Sequence, residues 1–181
     1  MKVNIEIEVK SRINEKTYQE LLSYYDLNSL TFKQTNYYFD TPELNLLNQF
    51  VTLRIREKNN SCKITLKQRA PNGCLEQHLI IDSHTKHELL KNGFNVGTYF
   101  QNIDYEVKYL AKLVNTRVKM LYDGGTIFLD KSTYNNITDY EIEYEHNDYK
   151  LCQKNFLSFL EKHHIKYEAL DKKSYRALMA R

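Results

Sequence analysis

The sequence predicts a mainly β fold with flanking helices (α+β), in which eight antiparallel strands close into a barrel. Three observations predict it. Apolar and polar residues alternate with period two over eight separate segments. Short turns rich in Asn, Asp and Gly join most of them, which is hairpin chemistry. Only two prolines and five glycines occur, so there is little room for a flexible linker, and residues 1–181 read as a single domain. Closing eight strands on themselves removes exposed sheet edges.

Lys2–Lys10 alternates strictly and makes the first strand. Asn14 can cap a helix reaching about Tyr25, with Tyr18, Leu21, Leu22 and Tyr25 on one face. Thr35–Asp40, rich in Tyr and Phe, is the second strand. Phe50–Glu57 and Ser61–Arg69 flank a turn at Asn59-Asn60, and Cys74–Asp82 follows a turn at Pro71-Asn72-Gly73. Thr85 and Glu88 form a capping box before a helix that stops at Gly93. Val107, Leu110, Ala111 and Val114 are spaced as a helix over Asp104–Val114. Asn115–Tyr122 and Thr126–Thr133 are strands about Asp123-Gly124-Gly125, and Asp139–His146 is the eighth. A helix over Asn147–His164 carries Cys152, Phe156, Phe159 and Leu160. A last short helix, capped by Asp171, holds Lys173 and Arg176.

The chain has 181 residues, 41% of them hydrophobic and 27% charged, which suits a soluble protein with a real core. No stretch approaches the apolar length of a membrane span, and the N-terminus lacks the apolar run of a signal peptide, so a cytoplasmic location is expected. A net charge of +3 is too slight to imply nucleic acid. Cys62, Cys74 and Cys152 are unclustered and read as reduced thiols, with no zinc spacing to any histidine. Asp123-Gly124-Gly125 lacks the Lys-Ser/Thr of a phosphate loop.

Residues i and i+2 of a strand share a face. Glu6, Glu8 and Lys10 therefore share one; so do Arg54 and Arg56, Lys63 and Lys67, Arg117 and Lys119, and Glu141, Glu143 and Glu145. Any one strand could simply turn these groups to water. Five strands sorted by sign are harder to reconcile with a solvent face, which usually mixes signs. Carboxylates two residues apart lie about 7 Å from each other, an unfavourable grouping unless a cation sits between them. The grouped arginines and lysines likewise call for an anion. A metal ion together with a polyanion satisfies both. Carboxylate ligands without Cys or His favour Mg²⁺ or Mn²⁺, and mixed Arg and Lys suit phosphate oxygens.

Glu6-Ile7-Glu8-Val9-Lys10 resembles the ExExK signature of the CYTH superfamily, the triphosphate tunnel metalloenzymes. The resemblance continues in order through Tyr37-Tyr38-Phe39-Asp40-Thr41-Pro42, Leu53-Arg54-Ile55-Arg56, Leu66-Lys67, Glu76, Thr116-Arg117, Leu129-Asp130, Tyr140-Glu141-Ile142-Glu143 and Lys173-Ser174-Tyr175-Arg176, nearly the whole chain. The most similar subgroup is the stand-alone YjbK-like proteins of Gram-positive bacteria. The resemblance implies a charged tunnel inside the barrel, a divalent metal (Mg²⁺ or Mn²⁺) on Glu6, Glu8, Glu141 and Glu143, and phosphates on Lys10, Arg54, Arg56, Lys67, Arg117, Lys173 and Arg176. Lys63 joins the phosphate set by sharing a face with Lys67. Glu76 and Asp130 are supporting acids, and Glu6, Glu8 and Lys10 are the catalytic candidates. The implied activity is metal-dependent hydrolysis of an inorganic, nucleotide or thiamine triphosphate. Alternatives are a class IV-type adenylate cyclase and a non-catalytic polyphosphate-binding module. A small-molecule triphosphate is the expected partner, with no nucleic acid or membrane, and the chain is expected to be a monomer or homodimer.

Overall fold

The first alternating segment breaks at Ile7 into β1 (Lys2–Glu6) and β2 (Glu8–Ile13), and this break closes the sheet. The structure, a computed structural model, describes residues 2–181. In chain order the other strands are β3 (Phe32–Asp40), β4 (Thr52–Lys58), β5 (Ser61–Ala70), β6 (Gly73–Ile81), the two-residue β7 (Phe94–Asn95), β8 (Glu106–Tyr122), β9 (Gly125–Tyr134) and β10 (Ile137–Glu145). β1 pairs with β6, and β2 pairs with β10. The hydrogen-bonded path β1-β6-β5-β4-β3-β8-β9-β10-β2 therefore ends on the segment where it began, with every pairing antiparallel. The barrel expected from the sequence is present, with Glu6-Ile7-Glu8 as its seam.

Three two-residue hairpin turns join its walls. Asn59-Asn60, Asp123-Gly124 and Asn135-Asn136 have positive φ at both positions. That geometry matches the right-handed twist of paired strands, and Asn, Asp and Gly tolerate it.

The helices are α1 (Glu15–Tyr24), α2 (Asn45–Asn48), α3 (Ser83–Asn92), α4 (Tyr149–Lys162) and α5 (Lys173–Met179). Asn14 caps α1 as expected, accepting from the Thr17 N–H at 2.8 Å. The cap of α3 is Asp82 rather than Thr85: the Asp82 carboxylate accepts from the Thr85 N–H at 2.7 Å, so the helix starts three residues sooner. Asp171 does not cap α5. That position is Lys172, without a side-chain bond, and the Asp171 carbonyl instead accepts from Arg176 Nε at 3.0 Å. The expected helix over Asp104–Val114 is absent, because Glu106–Tyr122 is one long strand. Its pairing with β3 shifts register at Tyr38/Phe39, so Leu110 is an extra residue between Tyr109 and Ala111. The bulge sends Val107 to the outer core and Ala111 and Leu113 inward. Apolar residues from two faces then fall three and four apart and imitate helical spacing.

The apolar faces of the strands point outward. α1 and α4 cover Ile13, Val118, Leu129 and Ile142 with Tyr18, Leu21, Phe156 and Phe159. Leu89, Val96 and Phe100 cover Phe39, Leu53, Ile55 and Ile64 on the other flank. Ala177 and Leu178 of α5 instead pack on inward-facing Tyr38, Ala111, Leu113 and Tyr134 and fill one part of the barrel interior. None of the helices among the described residues is long and apolar enough to cross a membrane.

Seam closure depends on Gly73, whose φ is +155° and whose added Cβ would lie 2.3 Å from the Glu6 carbonyl oxygen. Gly73→Ala should cost roughly 2 kcal/mol, about 4–8 °C in Tm for a chain of this size. Thermal unfolding followed by circular dichroism checks it, and an unchanged Tm would show that the seam has slack.

Candidate functional site

The inward faces enclose a cavity of about 220 Å³ with walls of opposite sign. β4 and β5 supply Arg54, Arg56, Lys63 and Lys67 because antiparallel pairing sets Arg56 opposite Lys63 and Arg54 opposite Thr65. The seam and β10 supply Glu6, Glu8, Glu143 and Glu145, with Glu8 opposite Glu145 in the register. Lys10, Glu76, Arg117, Lys172 and Lys173 complete the charged lining. Three residues singled out from the sequence lie outside it: Asp130, Glu141 and Arg176.

Those three belong to an ion-pair network behind the wall. Arg117 donates to Asp130 through Nε at 2.7 Å and through a second nitrogen at 2.5 Å, and also to Glu143. Lys173, carried inward by α5, donates to Glu141 and to Glu143 and lies 2.7 Å from Asp130. Arg176 donates to Glu141 and to Asp139. These acids are buried, with Asp130 at 0% and Glu141 at 1% exposure, and the helix supplies their counter-charges. The Arg117 guanidinium and Lys173 hold Asp130 well below the usual carboxylate range against the cost of its burial. The four-glutamate ligand set implied by the family resemblance is thus divided. Glu141 is committed to Lys173 and Arg176, and Glu143 lies between network and cavity.

The acids that converge on the cavity are Glu6, Glu8 and Glu145, each offering a carboxylate oxygen within 4.8 Å of the others. Burial works against ionised Glu8, but Lys10 and Lys67 hold its carboxyl at about 2. Burial together with the Glu6 and Glu8 charges pushes Glu145 up to about 7. Burial, with Glu8 and Asp130 nearby, takes Glu143 to about 7 despite Arg117. A site that charges its third acid reluctantly lacks positive charge. Three carboxylates without Cys or His are the donor set of a hard divalent cation, so these residues fit one. Asp130, Glu141 and Glu143 also converge, but on the protein's own cations.

The opposite wall has the complementary shortage. Among the described residues Arg54 pairs only with Glu76, at 3.7 Å, and Lys67 bonds Glu6 and lies 4.0 Å from Glu76. Burial and the neighbouring Arg54 and Arg117 lower Arg56 to about 9. Arg54 Nε and the Tyr38 hydroxyl are buried donors without a partner among the described residues. An anion with several oxygens would satisfy both the charges and these donors.

Glu145 is the acid that the sequence reading grouped with its neighbours but gave no role. Strand parity could have found it, since it continues the Glu141, Glu143 face. Thr52 and Cys74 could have been found the same way, two residues before Arg54 and Glu76, whereas Lys172 and Ser174, which also line the cavity, belong to no strand and carry no such signal.

With this geometry in place, comparisons with known proteins agree on one family. The CYTH domain family matches residues 4–176. The Bacillus subtilis (strain 168) protein named "Putative triphosphatase YjbK" is 32% identical over 174 residues, covering 91% of this chain and 90% of that protein. A Bacillus halodurans structure described as a putative adenylate cyclase superposes with a TM-score of 0.89 at 29% identity, covering 97% of this chain and 98% of that one. A Hippeastrum structure shares the fold at a TM-score of 0.72 and 24% identity, covering 97% and 96%. The chain belongs to the CYTH domain family.

Proposed function

We propose that this protein hydrolyses the terminal phosphoanhydride bond of a triphosphate with the help of Mg²⁺ or Mn²⁺. The observation that carries the reading is the sign-sorted cavity, in which Arg54, Arg56, Lys63 and Lys67 face the converging Glu6, Glu8 and Glu145. The likeness to a protein named as a triphosphatase supports the same reading. The whole chain, residues 1–181, is taken as one functional domain.

Glu6, Glu8 and Glu145 would hold the cation, with Glu143 beside them. When bound, it would neutralise phosphate oxygens and lower the pKa of a coordinated water. The chain's own residues supply positioning and charge. Arg54 and Arg56 offer guanidinium forks to non-bridging oxygens, and Lys63 and Lys67 add point charges. Glu8 and Glu143 raise the affinity of Lys10 for its proton against the cost of burial, so Lys10 stays an ammonium that can stabilise a leaving or attacking oxygen. Arg117 and Lys173 act from the network: held there by Asp130, they pair with Glu143 and so set how much of its charge faces the cavity.

Phosphate release should be measured from tripolyphosphate, ATP and thiamine triphosphate with Mg²⁺ or Mn²⁺. Orthophosphate release that EDTA abolishes is expected. Cyclic AMP and pyrophosphate from ATP would replace the hydrolase with a cyclase, and tight binding without turnover would make the chain a binding module. Glu145→Gln should lower the metal-dependent rate by about 100-fold while leaving Tm of the metal-free protein unchanged or higher, since it removes charge repulsion. Full activity in that variant would remove Glu145 from the cation set.

Metal affinity should depend on pH in a defined sense. Glu145 and Glu143 are largely protonated below about 7, and a cation must displace those protons. The apparent Kd should therefore fall as pH rises from 6 to 8, by up to about tenfold per unit for each proton displaced. Calorimetry in buffers of different ionisation enthalpy measures the released protons, and a Kd independent of pH over this range would contradict the assignment.

A further inference from the structure

Closure at the seam leaves one sheet edge bare. β6 pairs with one edge of β1, from Lys2 opposite His78 to Glu6 opposite Cys74. The other edge of β1 continues the edge of β2 that meets β10, but β10 ends at Glu145, opposite Glu8. One further bond, from the His146 N–H to the Ile7 carbonyl at 3.2 Å, finishes this ladder before the chain enters α4. No other backbone bond reaches Lys2–Glu6 among the described residues. The outer edge of β2 is covered instead: the Arg12 N–H donates to the Glu168 carbonyl at 2.8 Å, and the Glu168 N–H donates to the Ser11 hydroxyl at 2.9 Å.

The bare edge is apolar on its outer face. Glu6, Cys74 and Glu76 line the central cavity, so Asn4 and Glu6 turn inward while Val3 and Ile5 turn outward, with Ile5 opposite Leu75 of β6. Val3 is 51% and Ile5 63% exposed, and neither they nor Leu75 belong to the apolar layers under α1, α3 and α4. An unpaired edge is a template for another strand, and natural edges are commonly guarded by proline, a bulge or charge. β1 contains no proline, and its two outward residues carry no charge.

This strand is complementary to itself. Laid antiparallel about Asn4, it sets Lys2 opposite Glu6 of a second copy and Val3 opposite Ile5, twice each and on matching faces. A slip of one residue would set apolar side chains against polar ones. A slip of two would leave both charges without their opposite partner. We infer that β1 is a self-pairing edge, through which two copies of this chain join into one continuous sheet with a two-fold axis at Asn4. Such an interface presents the same surface from both copies and closes at two. It also brings Lys2 of the second copy to Glu6, one of the three acids that converge on the cavity. Five residues a side is far below the roughly 20–30 of a standard interface, so the dimer is weak, with a Kd on the order of 100 µM.

Sedimentation velocity of the full chain, from about 5 to 500 µM, tests it. Wild type should pass reversibly from monomer to dimer and stop there. A monomer throughout, or association that continues past two copies, would overturn the proposal. Val3→Lys/Ile5→Lys places like charges opposite each other and should weaken the dimer by about tenfold or more, with Tm unchanged because both side chains are exposed. Val3→Glu/Ile5→Glu should do the same. Mixing the two variants should restore association, since the introduced charges then face their opposites. A dimer that survives either variant unweakened lies on another surface, and a mixture that stays monomeric rejects the register; both outcomes overturn the proposal. Cross-linking reads the axis independently of these variants. Directly opposite Cα atoms lie about 4.5–5.5 Å apart, within reach of a disulfide. Asn4→Cys should therefore form a covalent dimer under mild oxidation, above the background that wild type sets with its own cysteines. Lys2→Cys should not, because its two copies lie about 14 Å apart along the strands. Equal cross-linking at both positions would remove the two-fold axis from Asn4 and the proposal with it.

Discussion

Burying an ion costs several kcal/mol unless a counter-ion and hydrogen bonds meet it, and the interior of this barrel is built from such meetings. Asp130, Glu141 and Glu143 come from adjacent strands that would repel one another if left alone. Arg117 from β8 and Lys173 and Arg176 from α5 compensate them. A single opposite pair at 4 Å contributes on the order of 4 kcal/mol at an effective dielectric of 20. The helix therefore does more than cover an opening. Its apolar residues Ala177 and Leu178 seat it on inner-face Ala111 and Leu113, and its bases complete the acids of β9 and β10. Barrel closure and docking of the C-terminal helix are coupled through these charges.

A charged interior turns the rest of the fold outward. In small barrels the inward side chains usually fill the centre. Here the apolar half of each strand faces away from the axis, and a barrel with a greasy outer surface must be covered. α1 and α4 cover one flank, while α3 and the segment through Val96 and Phe100 cover the other. Ile55, Ile64, Ile127 and Ile142 are each fully buried although none points to the axis. The alternation that reads in most proteins as wet outside and dry inside reads here in reverse, and the helices between the strands are what allow it.

This reversal explains what could be read from the sequence. The strand positions, the hairpin turns and the sign of each inward face follow from period-two alternation and local turn chemistry, and those are local properties. Two things were not local. The bulge at Leu110 exchanged faces within the first third of β8, so Val107, Ala111 and Val114 imitated a helix. The partners of Glu141 lie 32 and 35 residues further on, in a helix whose docking no strand pattern reports. Parity could say that Glu141 points inward, but not that two bases already wait for it. Glu145 is the converse case. Its importance depends on lying opposite Glu8, and that pairing exists only once the sheet closes at its seam.

The seam also explains why charge of both signs is left over. Like charges directly opposite in neighbouring strands are destabilising, yet Glu8 faces Glu145 with Glu6 alongside. Cations that could neutralise them stand across the cavity on β4 and β5. Of these, Lys67 bridges to Glu6 and leaves Arg56 and Lys63 without an acid partner among the described ion pairs. The walls cannot collapse to cancel the rest, because Arg54 and Arg56 are fixed by the register to β5 and the glutamates by the register to β2. Two opposite shortages held apart by a rigid sheet cannot be met by one simple ion. Adding only an anion would worsen the acidic side, and adding only a cation would worsen the basic side. The arrangement is relieved by a species that carries both, which is a polyanion already bound to a metal.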